Sequence, residues 1–254
     1  MIYTLCVITI ASLWAAGVVL LLVQRQKVGV GMIALGLVLL GSYIAYLWIV
    51  IGRPPMRSIG ETRLWYSLFL PLIGMLLFVM LKNKWVLVYG TAVSLVFLGI
   101  NAFKPSNFDA ALMPALQSPF FIPHVLIYIF AYALLAGAAI AAAVYIRNGA
   151  ALDDLTAIDR VVIIATAMLT VGMILGAVWA KIAWGHYWTF DPKESWALIS
   201  WLVYIVYLHV RMNHPTRTRE AAFYLVFAIL FVLICWFGVN ILPAARGSMH
   251  IYTR

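Results

Sequence analysis

Charged residues are scarce in this sequence. Asp, Glu, Lys and Arg make up 10% of its 254 residues, whereas 66% are hydrophobic and the mean hydropathy is +1.04. A soluble domain of this size could not keep so many apolar residues away from water, so a soluble globular fold is excluded. The net charge of +9 comes from basic residues in short connections, such as 24–27 and 82–84. Membrane proteins place them in this way, so we expect a lipid bilayer and no nucleic acid as partner.

Cysteine is almost absent as well. Cys6 and Cys235 are the two cysteines of the chain, and both lie within apolar runs. They form no CxxC motif, which excludes a dithiol redox pair and a covalent haem attachment site within the chain. We interpret both as small core residues.

Long apolar runs occupy most of the chain instead. A helical membrane span needs about 20 apolar residues, and eight runs satisfy this requirement. We therefore predict an all-α polytopic integral membrane protein of about eight transmembrane helices, with residues 1–254 as a single membrane domain. The first run lacks a basic start and is long enough to span, so we expect it to be retained. The predicted spans are about 2–23, 28–51, 64–81, 85–103, 121–146, 159–180, 195–212 and 221–242.

Eight spans put the two termini on the same side of the membrane. The connections 52–63, 104–120 and 181–194 share that side. The short basic turns 24–27 and 82–84 lie on the other side. Because basic residues are enriched in cytoplasmic connections, we expect that other side to be the cytoplasmic one. His124, the segment 184–201 and His250 all fall on the outer face by this count.

The segment 184–201 is an external Trp-rich loop between two apolar runs. It begins Trp-Gly-His-Tyr-Trp-Thr-Phe-Asp-Pro-Lys-Glu-Ser-Trp and closes at Trp201. Two interpretations are open. Tryptophans commonly mark membrane interfaces, and Asp191-Pro192 with Glu194 is typical of a helix start. Alternatively, the flat rings and charges form a platform for a flat apolar ligand with a polar end.

The histidines favour the second interpretation. Histidine is the commonest metal ligand, and His124 and His250 flank the motif on one face. Zinc would need three or four ligands, and this face offers no cysteine, whereas haem iron takes two axial ligands. His209 lies near the other end of the seventh span, close to Tyr204 and Tyr207. Each histidine taken alone can also be an ordinary interfacial residue, and we expect solvated loop roles for His186 and His214.

The motif resembles the tryptophan-rich WWD signature of haem-handling proteins, in the CcsA/ResC-type branch of System II cytochrome c biogenesis. Segments around His124 and His250 are similar to those that carry the external haem histidines of that family. Phe190 stands where the family usually has Trp, Pro243 where Gly is usual and Ile251 where Ser is usual. The residues of the motif that carry the resemblance are Trp184, Gly185, Trp188, Asp191, Pro192, Lys193, Glu194, Leu198, Ile199, Trp201, Tyr204, Tyr207, Leu208 and His209.

The resemblance implies a site for haem b. His124 and His250 would be the external axial ligands of the iron, and His209 a transmembrane ligand. Residues expected to contact the haem are Trp184, Trp188, Phe190, Asp191, Trp196 and Trp201.

The resemblance also implies a reaction and partners. The chain would be a subunit of a holocytochrome c synthetase, or haem lyase. It would transport or present haem at the outer membrane face and support its thioether attachment to apocytochrome c, without a side-chain nucleophile. The first four spans contain no histidine, so a CcsB/ResB-type membrane subunit is expected to supply the second transmembrane ligand. The location would be the bacterial inner (cytoplasmic) membrane or its equivalent, with the motif on the outer (periplasmic) face.

Two other functions remain open. A non-catalytic haem transporter or chaperone of the System I type would carry the same motif. A transporter or channel without covalent chemistry would show broken helices and charges within its spans, and the predicted spans are nearly free of both.

Overall fold

The chain folds into helices throughout the part described by the computed structural model, which comprises residues 2–56, 58–81, 83–104, 118–148 and 152–240. Eight helices in those ranges are long and apolar enough to cross a membrane, and no strand occurs there. The predicted all-α polytopic membrane fold is therefore confirmed. The helices are α1 (Ile2–Leu22), α2 (Gln26–Ile51), α3 (Ile59–Leu81), α4 (Lys84–Phe103), α5 (Phe121–Asn148), α6 (Leu152–Trp184), α7 (Pro192–Asn213) and α8 (Thr218–Trp236), followed by a 3-10 helix, Gly238–Asn240.

The helix ends differ most from prediction at α6 and α8. Helix α6 begins at Leu152 rather than 159, because a helix continues into polar sequence that a hydropathy criterion does not count. Helix α8 ends at Trp236 rather than 242. Gly238 opens the 3-10 turn that follows, and glycine is a poor residue for the interior of an α-helix.

The chain divides into two compact units, residues 1–111 and 112–254. The single domain expected for residues 1–254 stays a prediction. In unit 1, α1 packs against α2 and α4, and α3 packs against the same two helices. Trp14 of α1 is fully buried, and its indole Nε1 donates a hydrogen bond of 3.1 Å to the carbonyl of Ile33.

A buried ion pair holds the start of α3 in unit 1. The Ser58 hydroxyl accepts from the backbone N–H of Glu61, and the Glu61 carboxylate accepts from the N–H of Ser58, which is a capping box. Arg53 donates to both oxygens of Glu61, at 3.0 and 2.9 Å. Arg53 and Ser58 are therefore tied to the helix that follows them.

In unit 2, α5 packs against α6 and α8, while α7 also packs against α6 and α8. Helix α5 is the most buried span in the described structure, with 72% of its apolar window inside. Its small side chains, including Ala131, Ala133 and Ala142, allow its neighbours to approach closely. Helix α5 also carries His124 in its first turn.

Candidate functional site

His124 packs closely against the surface of α6 at Gly172 and Gly176. Its Nδ1 is 2.7 Å from the carbonyl oxygen of Gly172. A Cβ atom added to Gly176 would lie 2.5 Å from the imidazole, and one added to Gly172 would lie 2.4 Å from the ring of Tyr128. Two glycines one turn apart therefore let both rings of α5 approach the backbone of α6.

The contact with Gly172 fixes the tautomer of His124. A carbonyl oxygen only accepts hydrogen bonds, so Nδ1 of His124 carries the proton and donates it. In the neutral ring, Nε2 then holds the lone pair. Metal-bound histidines commonly have this arrangement, with the second ring nitrogen donating to a carbonyl or carboxylate that orients the ring.

A row of aromatic rings links His124 to the Trp-rich motif. The imidazole stacks on Trp179, with ring centroids 5.7 Å apart and planes inclined by 26°. Trp179 is buried and contacts Phe121 at 5.0 Å and Trp184 at 4.8 Å. Trp184 is the first residue of the motif, so one aromatic side chain separates the motif from His124.

The loop of the motif is shorter than expected. The connection runs from Gly185 to Asp191, and the rest of the motif lies in α6 and α7. Phe190 adopts a φ of 57°, a left-handed conformation that is unusual for an aromatic residue and costs about 1–3 kcal/mol. Phe190 is also 74% exposed, and its ring makes an edge contact with Trp188. The strained residue thus presents its ring outwards.

Glu194 holds the connection in this conformation. Its Oε2 accepts from the backbone N–H of Thr189 at 2.8 Å, from the Thr189 hydroxyl at 3.2 Å and from the N–H of Asp191 at 3.2 Å. The Asp191 side chain in turn accepts from the backbone N–H of Lys193 and from that of Glu194. The second of these bonds, with the Glu194 carboxylate on the N–H of Asp191, makes a capping box, and Pro192 lies in the first turn. The predicted helix start at Asp191-Pro192 is confirmed, and both carboxylates are buried within this local network.

The last two tryptophans of the motif are helix residues with structural contacts. Trp196 packs against Phe231 of α8, with centroids 6.4 Å apart. The indole N–H of Trp201 donates to the hydroxyl of Thr170 on α6 at 2.9 Å. These contacts tie α7 to α8 and α6, so at these two positions the rings brace the helices that carry the loop.

A second polar group lies at the other end of α7. Arg211 forms an ion pair of 2.8 Å with Asp159 of α6, and the Tyr207 hydroxyl donates to the same carboxylate. His209 lies on the exposed side of α7. The side-chain amide of Asn213 donates to His209 Nε2 at 3.1 Å and to its carbonyl at 2.9 Å, so in this arrangement His209 accepts through Nε2.

The described structure brings together some of the predicted site residues. His124 and Trp184 meet through Trp179, and Trp188, Phe190 and Asp191 lie in the connection that follows. His209 is at the far end of α7, as expected from its position. His250 lies outside the described residues, so its part in the site stays a prediction.

Sequence reasoning missed the residues that orient His124. Trp179 and Tyr128 surround the imidazole, and Gly172 and Gly176 make room for it. The Gly-x-x-x-Gly spacing of the two glycines was the available signal, because it marks a helix surface that a neighbour can approach closely. No group of three or more His, Cys, Asp or Glu that could hold a metal ion occurs in the described part of the chain.

The comparisons with known proteins agree on one family. The model of the family described as cytochrome C assembly protein matches residues 4–245. The cytochrome c biogenesis protein CcsA of Chlamydomonas reinhardtii is 30% identical over 259 residues, covering 93% of this chain and 72% of that protein. CcsA of Panax ginseng is 30% identical over 277 residues, covering 88% of this chain and 85% of that protein.

A solved structure shares the fold. The cytochrome c haem lyase CcmF superposes with a TM-score of 0.73 at 15% identity, over 92% of this chain. The chain spans 46% of the length of CcmF, and at this identity the likeness concerns the fold alone. The family match over nearly the whole chain and the identity to CcsA proteins decide the assignment: the chain belongs to the cytochrome c assembly protein family and is a CcsA-type protein of cytochrome c biogenesis.

Proposed function

We propose that this chain binds haem b at the outer end of unit 2 and presents it for thioether attachment to apocytochrome c, as a subunit of a haem lyase complex. His124 Nε2 is one axial ligand of the iron, and His250 is the predicted second. The observation that carries the proposal is the hydrogen bond from His124 Nδ1 to Gly172, which orients the ring and leaves the lone pair on Nε2.

The donor set supports haem over a metal ion held by side chains. Haem iron brings four ring nitrogens of its own and asks the protein for axial ligands and flat apolar surface. His124 supplies the first, and Trp179 and Trp184 supply aromatic rings beside it. Trp188 and Phe190 form a further pair of rings in the connection that follows Trp184. The exposed ring of Phe190 is the best placed of these to contact a ligand that arrives from outside the protein.

The chain itself needs no nucleophile in this reaction. Each cysteine thiol of the apocytochrome adds across a vinyl group of the haem, so that sulfur bonds to one carbon and hydrogen to the other. The protein contributes alignment of the reacting groups, which is worth several kcal/mol. The stiff connection held by Glu194 is suited to that role, because its backbone conformation is fixed by three hydrogen bonds to one carboxylate.

His209 supports a transmembrane haem site shared with a CcsB/ResB-type partner. Its imidazole lies on the exposed side of α7, between apolar side chains that include Leu202 and Val206 and the amide of Asn213 one turn further on. A polar ring on a lipid-facing stripe is costly and marks a functional position by default. We propose that a histidine from the partner subunit completes that site and that the outer site faces the periplasm or its equivalent.

The test uses the full chain purified with its partner subunit. We expect a Soret band with bis-histidine character from the wild-type complex. In His124→Gly the part of the band that comes from the outer site should fall at least tenfold, since loss of an oriented metal ligand costs about that much or more. Haem at the transmembrane site of His209 should remain. Imidazole added to His124→Gly should restore the outer-site band, because the small ligand can occupy the space left by the His124 side chain. His214→Ala, a change of an exposed histidine, is the matched control.

The outcomes separate the parts of the proposal. Full haem content in His124→Gly would remove His124 from the ligand set. Haem binding without any covalent cytochrome c on a haem-stained denaturing gel would instead favour the non-catalytic transporter or chaperone.

A further inference from the structure

The ring of His209 is held by an amide one helical turn further along α7. Asn213 follows His209 by four residues, and side chains at this spacing are neighbours on the same face of a helix. The Nδ2 atom of Asn213 is 3.1 Å from Nε2 of His209 and 2.9 Å from the backbone carbonyl oxygen of the same residue. Both contacts lie within one helix, so they follow from the local geometry of α7.

The contact with the carbonyl decides which way the amide of Asn213 points. A carbonyl oxygen only accepts hydrogen bonds, so the amide atom 2.9 Å from it must be the nitrogen. An amide nitrogen carries two N–H groups, and the second donates to Nε2 of His209. Because Nε2 accepts, its lone pair lies there, and the ring of His209 is neutral with its proton on Nδ1.

The lone pair that Asn213 occupies is the one that a metal would use. A neutral imidazole with its proton on Nδ1 offers only Nε2 as a ligand. Other polar side chains near His209 in α7 are engaged with α6, since Arg211 and Tyr207 both donate to the carboxylate of Asp159. Nε2 of His209 has one lone pair, so it either accepts from Asn213 or binds a metal.

We propose that Asn213 is a positioning residue of the transmembrane haem site, which holds the Nε2 lone pair of His209 and gives it up to the iron. The inference rests on the proposed function, because it concerns the haem ligand assigned there to His209. Asn213 selects the tautomer of His209 that can bind iron, and it competes with the iron for the same lone pair. This competition lowers the affinity of the site, which suits a site that passes haem on and does not store it.

Two substitutions separate the hydrogen-bond donor from the rest of the side chain. Asn213→Asp keeps the shape of the side chain, but a carboxylate only accepts, so it should move the proton of His209 to Nε2. Asn213→Ala removes the competitor and should leave the lone pair of Nε2 open to a ligand. The two variants are therefore expected to change the affinity for haem in opposite directions.

The hydrogen bond is tested on the haem-free full chain, with isotopically labelled histidine and nuclear magnetic resonance. We expect Nε2 of His209 to give the signal of an unprotonated ring nitrogen in the wild type and of a protonated one in Asn213→Asp. Diethyl pyrocarbonate modifies unprotonated ring nitrogens, and its reaction at His209 should be about two- to tenfold faster in Asn213→Ala, the effect of one hydrogen bond. His186, an exposed histidine in the connection before α7, is the internal reference.

The competition is tested by haem titration of the complex with its partner subunit. All variants carry His124→Gly, which removes the outer-site band and leaves the transmembrane site. Asn213→Ala should raise the haem affinity of that site about two- to tenfold, and Asn213→Asp should lower it at least as much. His209→Ala should remove the remaining band.

The proposal is overturned if the haem-free wild type carries the proton of His209 on Nε2. It is also overturned if Asn213→Ala lowers the stability of the protein but leaves haem affinity unchanged, since Asn213 would then be structural only. If His209→Ala leaves the remaining haem band intact, the transmembrane site of the proposed function fails. The resonance and modification measurements, which need no haem, still decide in that case whether Asn213 holds Nε2.

Discussion

Each unit places a nitrogen-bearing ring against a glycine of the neighbouring helix. In unit 1, Trp14 of α1 packs on Gly36, where a Cβ would lie 2.3 Å from the indole nitrogen. In unit 2, His124 packs on Gly176, where a Cβ would lie 2.5 Å from the imidazole. Both rings donate a hydrogen bond to a backbone carbonyl of the helix that they contact.

The two rings differ in whether a second ring nitrogen remains after that hydrogen bond is made. An indole has a single N–H donor and no acceptor, so the bond to Ile33 completes the polar chemistry of Trp14. An imidazole has a second nitrogen, so the bond to Gly172 converts His124 into an oriented base. The same packing arrangement thus gives a core contact in one unit and a candidate ligand in the other. All five histidines of the chain belong to residues 112–254, which agrees with this division.

The largest difference in stability between the units is expected at their arginines. Arg211→Met should lower the free energy of unfolding by about 2–3 kcal/mol, because it leaves Asp159 buried without its cation. Arg63→Met should leave it unchanged within about 1 kcal/mol or raise it, since the Nε and Nη1 of Arg63 have no hydrogen-bond partner to lose among the described residues. Denaturant titration of the ligand-free protein measures both, with Arg25→Met as the exposed control. Equal losses in the two variants would mean that Arg63 has a partner of its own.

Alanine substitutions at the two contact glycines, Gly36 and Gly176, should separate effects on stability from effects on ligand binding. Gly36→Ala should cost about 1–3 kcal/mol by overpacking and leave haem affinity unchanged. Gly176→Ala should cost less stability, because His124 is only half-buried and can move, but should lower haem affinity by about tenfold through misorientation of the ring. Gly41→Ala is the control, because an added Cβ there would meet nothing within 4 Å. Unfolding curves and haem titrations of the same preparations measure the two effects. Unchanged haem affinity in Gly176→Ala would mean that the contact with Gly176 does not orient the ring of His124.

Ring replacements should give the smallest changes in stability. Trp14→Phe and His124→Phe each remove one hydrogen bond to a backbone carbonyl, worth about 1 kcal/mol. Only His124→Phe should also remove the outer-site part of the Soret band, because phenylalanine has no nitrogen to bind iron. A normal spectrum from His124→Phe would show that the ring matters for packing alone.

The elements could be predicted from sequence because their signals are local. Apolar runs located all eight spans, and Asp191-Pro192 with Glu194 located the start of α7. The hydrogen bond from Thr189 to the Glu194 carboxylate could not be predicted, because it depends on the left-handed backbone at Phe190. Hydropathy also placed the start of α6 and the end of α8 imprecisely, since it registers neither the polar first turns of α6 nor the end of the α-helix before Gly238.

The site could be predicted only in part. The position of His124 at the mouth of α5 follows from counting spans. Its hydrogen bond to Gly172 joins residues 48 positions apart and depends on how α5 packs on α6. Trp201 shows the opposite case: its membership of the motif suggested a ligand platform, and its indole in fact donates to Thr170. Motif membership therefore located the region, and packing decided the contacts of each ring.

The length of α6 has a consequence for bilayer thickness. Its 33 residues extend about 50 Å, whereas a hydrocarbon core is about 30 Å thick and helices rarely tilt beyond about 40°. Part of α6 must therefore project beyond the acyl chains. Four of its first nine residues are charged, including Asp159 and Arg160, and its last residue is Trp184, a residue type that favours the interface. A thinner or thicker membrane would be accommodated at the Asp159 end, and the depth of the His124 end would stay the same.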